Sequence, residues 1–156
     1  MPDNYPSHCV SRKYVSRVSR KDEPVAHDPQ HLTDDMNRFL QDRHLATLTL
    51  LGPAGTLHVT PVGFTWDSAT AVARVITWSG AKKIRLLEQS GGGRAALCQV
   101  DGGRWVTLEG QARATADHQE CADAVARYAA RYSPPKDRGP DRRAIVIAVD
   151  KVLGRA

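Results

Sequence analysis

Cysteine is scarce in this sequence. There are three, Cys9, Cys98 and Cys121, odd in number and without the spacing of metal ligands. Cys98 and Cys121 sit inside apolar patterns, where cysteine behaves as a small buried hydrophobe, so a reducing cytoplasm is expected and a metal centre is not. Long apolar runs are absent as well. The segments 45–51, 71–77 and 144–152 all fall short of the roughly 20 residues needed to span a bilayer, so no membrane partner is expected. Aromatic residues make up only 6% of the chain and form no stacking row, and the basic residues are dispersed, which argues against nucleic acid as the partner. No G-x-G-x-x-G or Walker loop occurs, and neither a Ser-His-Asp order nor an obvious catalytic carboxylate pair stands out. No catalytic side chain can be named on these grounds. A bound organic cofactor would account for an enzyme with so little chemistry of its own.

What is present suffices for one domain. The chain has 156 residues, 41% hydrophobic and 25% charged, with a net charge of +5 that suits an anionic ligand without specifying one. Residues 1–29 mix Pro, Ser, His, Arg and Lys without an apolar period or a secretory h-region, and read as a flexible leader to a domain spanning 30–156. Thr33, Asp34 and Asp35 open a helix over 33–43, with Met36, Phe39 and Leu40 on one face. Alternating residues 44–51, a Gly-Pro-Ala-Gly turn and residues 56–65 predict a hairpin. A turn at 66–70 precedes a third strand over 71–77. Ser79 is expected to cap a helix ending near Gln89, before Gly91-Gly92-Gly93. Asp101-Gly102-Gly103 joins strands over 95–100 and 105–113, a helix follows over 116–132, and residues 143–153 close the sheet. Six strands joined mostly as hairpins do not fit a Rossmann domain. They fit a mainly β fold with about three helices, a six-stranded antiparallel closed or split barrel.

The strongest local feature is the stretch from Arg74 to Lys83. A strand there ends in Thr77, Trp78, Ser79 and Gly80, then meets Lys82 and Lys83 at a helix start. Helix amides, two hydroxyls and an ammonium favour an anion at such a junction, and a solvated basic helix end is the equally weighted alternative. Trp78 and Trp105 offer flat surfaces to an aromatic ligand or serve as core. His58 is a ligand, an acid–base group or a structural residue. Gln99 either donates to a ring carbonyl or faces solvent, and Arg104 with Glu109 reads equally as a surface charge pair.

Four segments carry a family resemblance: Asp42-Arg43-His44-Leu45-Ala46-Thr47-Leu48-Thr49, the run from His58 to Asp67, the Arg74 to Lys83 stretch, and the run from Gln99 to Gly110. Over residues 32–154 the chain resembles the pyridoxamine-phosphate-oxidase-like split barrels, and among them the coenzyme F420-dependent reductases that act on biliverdin. The resemblance implies a homodimer with a cofactor in a groove at the interface, and hydride transfer from the reduced deazaflavin to biliverdin or a similar conjugated acceptor. It also implies that His58, Val59, Thr60, Pro61 and Val62 line the ring through backbone groups. On the same grounds Ile76, Thr77, Trp78, Ser79 and Gly80 shape the cleft, and Lys83 with Lys82 meets the phosphate. Gln99 and Trp105 would close the site, from the partner chain if not from the same one. The alternatives are an FMN-dependent member of the same superfamily and a non-enzymatic barrel that holds haem or another tetrapyrrole.

Overall fold

The computed structural model describes residues 26–156; the greater part of the expected leader, Cys9 included, lies outside the described residues. Eight strands are present among the described residues, two more than the six expected. They are β1 (Ala26–His27), β2 (Ala46–Leu51), β3 (Leu57–Val62), β4 (Thr65–Asp67), β5 (Val72–Trp78), β6 (Gly93–Asp101), β7 (Arg104–Thr115) and β8 (Arg142–Arg155). Three helices accompany them, α1 (Asp34–Gln41), α2 (Lys82–Ser90) and α3 (His118–Arg131). The sheet runs β3-β2-β6-β7-β8-β5-β4, every pair antiparallel, and β1 pairs with β8 through Ala26 and His27. The sheet therefore begins inside the segment expected to be leader. No helix among the described residues is long and apolar enough to cross a membrane.

The two edges of this sheet are consecutive in the chain. β3 ends at Val62 and β4 begins at Thr65, so only Gly63 and Phe64 join them, and the barrel is split at that point. The expected single strand over 56–65 breaks here. A Cβ on Gly63 would lie 2.7 Å from Tyr128 Cε2 and 3.2 Å from Tyr132 Cε2, so the missing side chain lets the two tyrosines at the end of α3 press against the link. Trp66 and Asp67, expected in a turn, extend the sheet in β4 instead.

Alternation along the strands turns Leu48, Leu50, Val75, Leu97, Val106 and Ile147 into one core. The α1 residues Met36, Phe39 and Leu40 plug that core, and Thr33 caps the helix by accepting from the Met36 amide at 3.2 Å. Helix α2 ends at Gly91, which adopts the left-handed conformation at φ 68° that its missing Cβ allows. Its start differs from the expectation. Ala81 occupies the N-cap without a side-chain bond, because the Ser79 hydroxyl donates to Asp141 Oδ1 at 3.2 Å.

The link across the split is pinned by a half-buried cation. Arg131, at the end of α3, donates to the Asp42 carbonyl at 2.6 Å, the Phe64 carbonyl at 2.6 Å and Gln99 Oε1 at 2.8 Å, and stacks 4.3 Å from the Phe64 ring centroid. The Tyr132 hydroxyl donates to the His44 carbonyl at 2.6 Å and accepts from the Phe64 amide at 3.2 Å. Burial lowers the Arg131 pKa and raises that of Tyr132. Arg131 nevertheless keeps its charge at neutral pH, because a guanidinium starts so far above it.

Candidate active site

The groove beside the split is formed where the end of β3, the end of β5, α3 and the segment before β8 converge. It encloses about 270 Å³ and is lined by Pro61, Val62, Gly63, Ile76, Thr77, Trp78, Lys83, Tyr128, Pro135, Lys136, Arg138 and Arg142. Among the described residues β3 is the terminal strand of its sheet, and one side of its backbone faces no strand there. Its side chains alternate: His58 and Thr60 are half-buried, while Leu57 and Val59 point outward and are 69% and 52% exposed. The expected block of residues 58–62 is thereby divided between two faces, with Pro61 and Val62 reaching the groove.

Two hydroxyls in this region are buried without a hydrogen-bond partner: Thr60 Oγ1 and Thr77 Oγ1. Thr77 is 3% exposed and lines the groove. A polar atom in that condition costs about 1–3 kcal/mol unless something bonds to it. Trp78 is 42% exposed, and two cations meet its indole, Lys83 Nζ at 5.8 Å and the Arg138 guanidinium at 4.9 Å from the ring centroid. Gly80 makes room for that ring, since a Cβ there would come within 3.2 Å of Trp78 Nε1.

Electrostatically the groove is positive. Among the described residues no ion pair engages Lys82, Lys83, Lys136, Arg138 or Arg142, and no carboxylate lines the groove. Burial pushes the Lys83 ammonium below its usual pKa. Burial also pulls His58 down, helped by the fields of Lys82 and Lys83, so the imidazole is neutral at pH 7 and stands near both lysines. First-turn amides of α2, which have no intrahelical acceptor, add to the same potential. No group of three or more His, Cys, Asp or Glu that could hold a metal ion occurs among the described residues.

Not every expected residue meets at this place. Gln99 is fully buried and its amide is already engaged, donating to the Phe39 carbonyl at 2.6 Å and accepting from Arg131. It positions the clasp and does not reach the groove of its own chain. Trp105 opens β7, opposite Val100 and beside Arg155, away from the groove lining. In its place come Tyr128, Lys136, Arg138 and Arg142. The run Lys136-Asp137-Arg138-Gly139-Pro140-Asp141-Arg142-Arg143 is visibly basic in the sequence, but only the pairing of Trp78 with Arg142 folds it over the end of β5. The Ser79 amide fastens it further by donating to the Asp141 carbonyl at 2.9 Å.

A split barrel with a positively charged groove beside the β5–α2 junction is the architecture of a cofactor-binding oxidoreductase family. Residues 32–156 match the pyridoxamine 5'-phosphate oxidase family model, and this chain belongs to that family. It is 46% identical over 125 residues to an F420H(2)-dependent biliverdin reductase from Mycobacterium tuberculosis, covering 80% of this chain and 89% of the relative. Among solved structures it resembles a conserved hypothetical protein from Mycobacterium tuberculosis, with a TM-score of 0.66 and 17% identity over 80% of this chain and 85% of that one. It also resembles an F420 reductase, with a TM-score of 0.61 and 22% identity over 78% of this chain and 98% of that one. At those identities the two structures speak for the fold alone.

Proposed function

We propose that this protein is a coenzyme F420-dependent reductase whose acceptor is biliverdin or a similar conjugated tetrapyrrole. The observation that carries this reading is the junction of β5 and α2, where no ion pair among the described residues engages Lys82 or Lys83. An anionic group held there by a flat cofactor would supply the missing partner. The 46% identity to a biliverdin reductase supports the choice of cofactor and acceptor.

The residues present fit such a cofactor. Lys83 with Lys82 would hold its phosphate, the edge of β3 and the Thr60 hydroxyl would orient its ring, and Ile76 and Trp78 would shape the cleft. When bound in its reduced form, the deazaflavin supplies a hydride to an electron-poor conjugated acceptor. Val62 and Tyr128 exclude water from one wall. His58, neutral at pH 7, leaves the positive charge of the corner to the lysines.

A second copy of the chain completes this reading. Leu51, Leu57 and Val59 are exposed side by side on β2 and β3, in the register Leu51 with Leu57 and Thr49 with Val59, and Leu45 and Val100 extend the apolar face. A homodimer that buries this face would bring one chain's Trp105 toward its partner's groove. A cytoplasmic location suits the free thiols Cys98 and Cys121.

The test is a fluorescence titration with F420 and separately with FMN, followed by turnover of biliverdin with reduced F420. Micromolar or tighter binding of F420 and bleaching of biliverdin are the expected results. Preference for FMN would move the protein to the flavin-dependent branch of its family, and binding of neither would leave a non-enzymatic tetrapyrrole carrier.

A further inference from the structure

The groove carries more cations than the lysine corner supplies. The segment between α3 and β8 adds Lys136, Arg138 and Arg142 to the lining that Lys83 shares, and Trp78 meets a cation of each set, Lys83 and Arg138. The carboxylates of this segment are turned elsewhere. Asp137 Oδ1 accepts from the Gly139 amide at 2.8 Å, and Asp141 Oδ1 accepts from Ser79. Arg142 bonds only neutral carbonyls, those of Thr77 at 3.3 Å and Lys136, so its charge is held in place but not matched. Arg138 lies with its guanidinium 4.9 Å from the Trp78 ring centroid, and among the described residues no side-chain hydrogen bond or ion pair engages its N–H groups. Thr77, 3% exposed, is among the residues that line the same groove.

Resting on the reading of this groove as a deazaflavin site, we propose that Lys136, Arg138 and Arg142 form an acceptor-side anion subsite that takes a carboxylate of the substrate. Trp78 lies under the conjugated body of that substrate. Three cations with no carboxylate among the groove-lining residues are more than one cofactor phosphate at the α2 end requires. An acceptor with a conjugated core and a pendant propionate matches a flat indole flanked by a guanidinium. The subsite selects acid-bearing acceptors over neutral ones of the same shape.

The experiment compares biliverdin with its dimethyl ester, whose propionates are uncharged, on the full-length protein and on the double variant Lys136→Gln, Arg138→Gln. Both residues are exposed, so the variant should fold. Binding of each tetrapyrrole is read by quenching of tryptophan fluorescence and by KM with reduced F420, and F420 affinity is titrated separately. The expected result is about a tenfold or greater loss of biliverdin affinity, little change for the ester, and F420 binding within about twofold of the original protein. Equal biliverdin affinity in the two proteins overturns the subsite while F420 binding leaves the cofactor reading intact. A loss of F420 affinity equal to the loss for biliverdin also overturns it, because the anion received would then belong to the cofactor, and removing the glutamyl tail of F420 would abolish that loss. If the original protein bound no F420, the cofactor reading would fail and the subsite with it.

Discussion

Arg131 and Arg138 are seven residues apart and do opposite things. Arg131 is half-buried, and its donors are spent on two carbonyls and an amide oxygen of its own chain. Arg138 is exposed, with its face on Trp78 and no acid against it. The first is a cation the fold has consumed, and the second is one the fold has left over. Charges of the first kind hold the barrel shut at Gly63 and Phe64, and charges of the second kind surround the groove that the closure creates. A third kind is matched at the surface, as in Arg113 with Glu120, whose carboxyl is pulled down to about 2, chiefly by its hydrogen bond to Arg113.

Breaking the clasp should have the largest effect. Arg131→Met leaves the Phe64 and Asp42 carbonyls and Gln99 Oε1 without their donor, and a loss of about 2–4 kcal/mol in urea unfolding is expected. Gly63→Ala attacks the same closure sterically. Its methyl group meets two tyrosine rings, so about 1–3 kcal/mol should be lost, and Tyr128→Ala in the same chain should return part of it.

The leftover cations should show the converse pattern. Lys83→Ala should weaken F420 binding about tenfold or more, while stability changes by less than about 0.5 kcal/mol, because burial already disfavours that ammonium in the folded state. A large fall in stability with unchanged binding would place Lys83 among the structural cations instead. The smallest effect is the pH dependence at His58. Its pKa is depressed in the folded protein, so the stability it contributes is present above the ordinary histidine value and falls away as pH drops through the depressed one. Protonation there adds a positive charge beside Lys82 and Lys83. F420 affinity should therefore rise a few-fold between pH 7.5 and 5.5, and His58→Gln should flatten that rise. A calorimetric titration at several pH values measures it.

Local chemistry made much of the fold legible. Thr33 caps its helix, the glycines from Gly91 stop α2, and Asp101-Gly102-Gly103 turns β6 into β7, all by interactions within a few residues. The packing at Gly63 was not legible, because the rings that fill the space of its missing side chain, Tyr128 and Tyr132, lie more than 60 residues further along the chain. The same holds for Ser79, which looks like a helix cap until Asp141 takes its hydroxyl. At the site, the lysines and Thr77 stood out because strand end and helix start are adjacent in sequence. Gln99 did not reveal its burial, since a glutamine in a strand carries no mark of the arginine that will bond it. Lys136, Arg138 and Arg142 read as a polar loop, and only long-range pairing with β5 turns them into groove wall.

The most direct test of the distinction between consumed and leftover cations is a comparison of F420 with its dephosphorylated deazaflavin riboside, titrated into the unaltered protein and into Lys83→Ala. The account predicts that the unaltered protein prefers F420 by about tenfold or more and that Lys83→Ala loses most of that preference without losing stability. Equal affinity for the two ligands in the unaltered protein would contradict it, and so would a preference that survives the substitution.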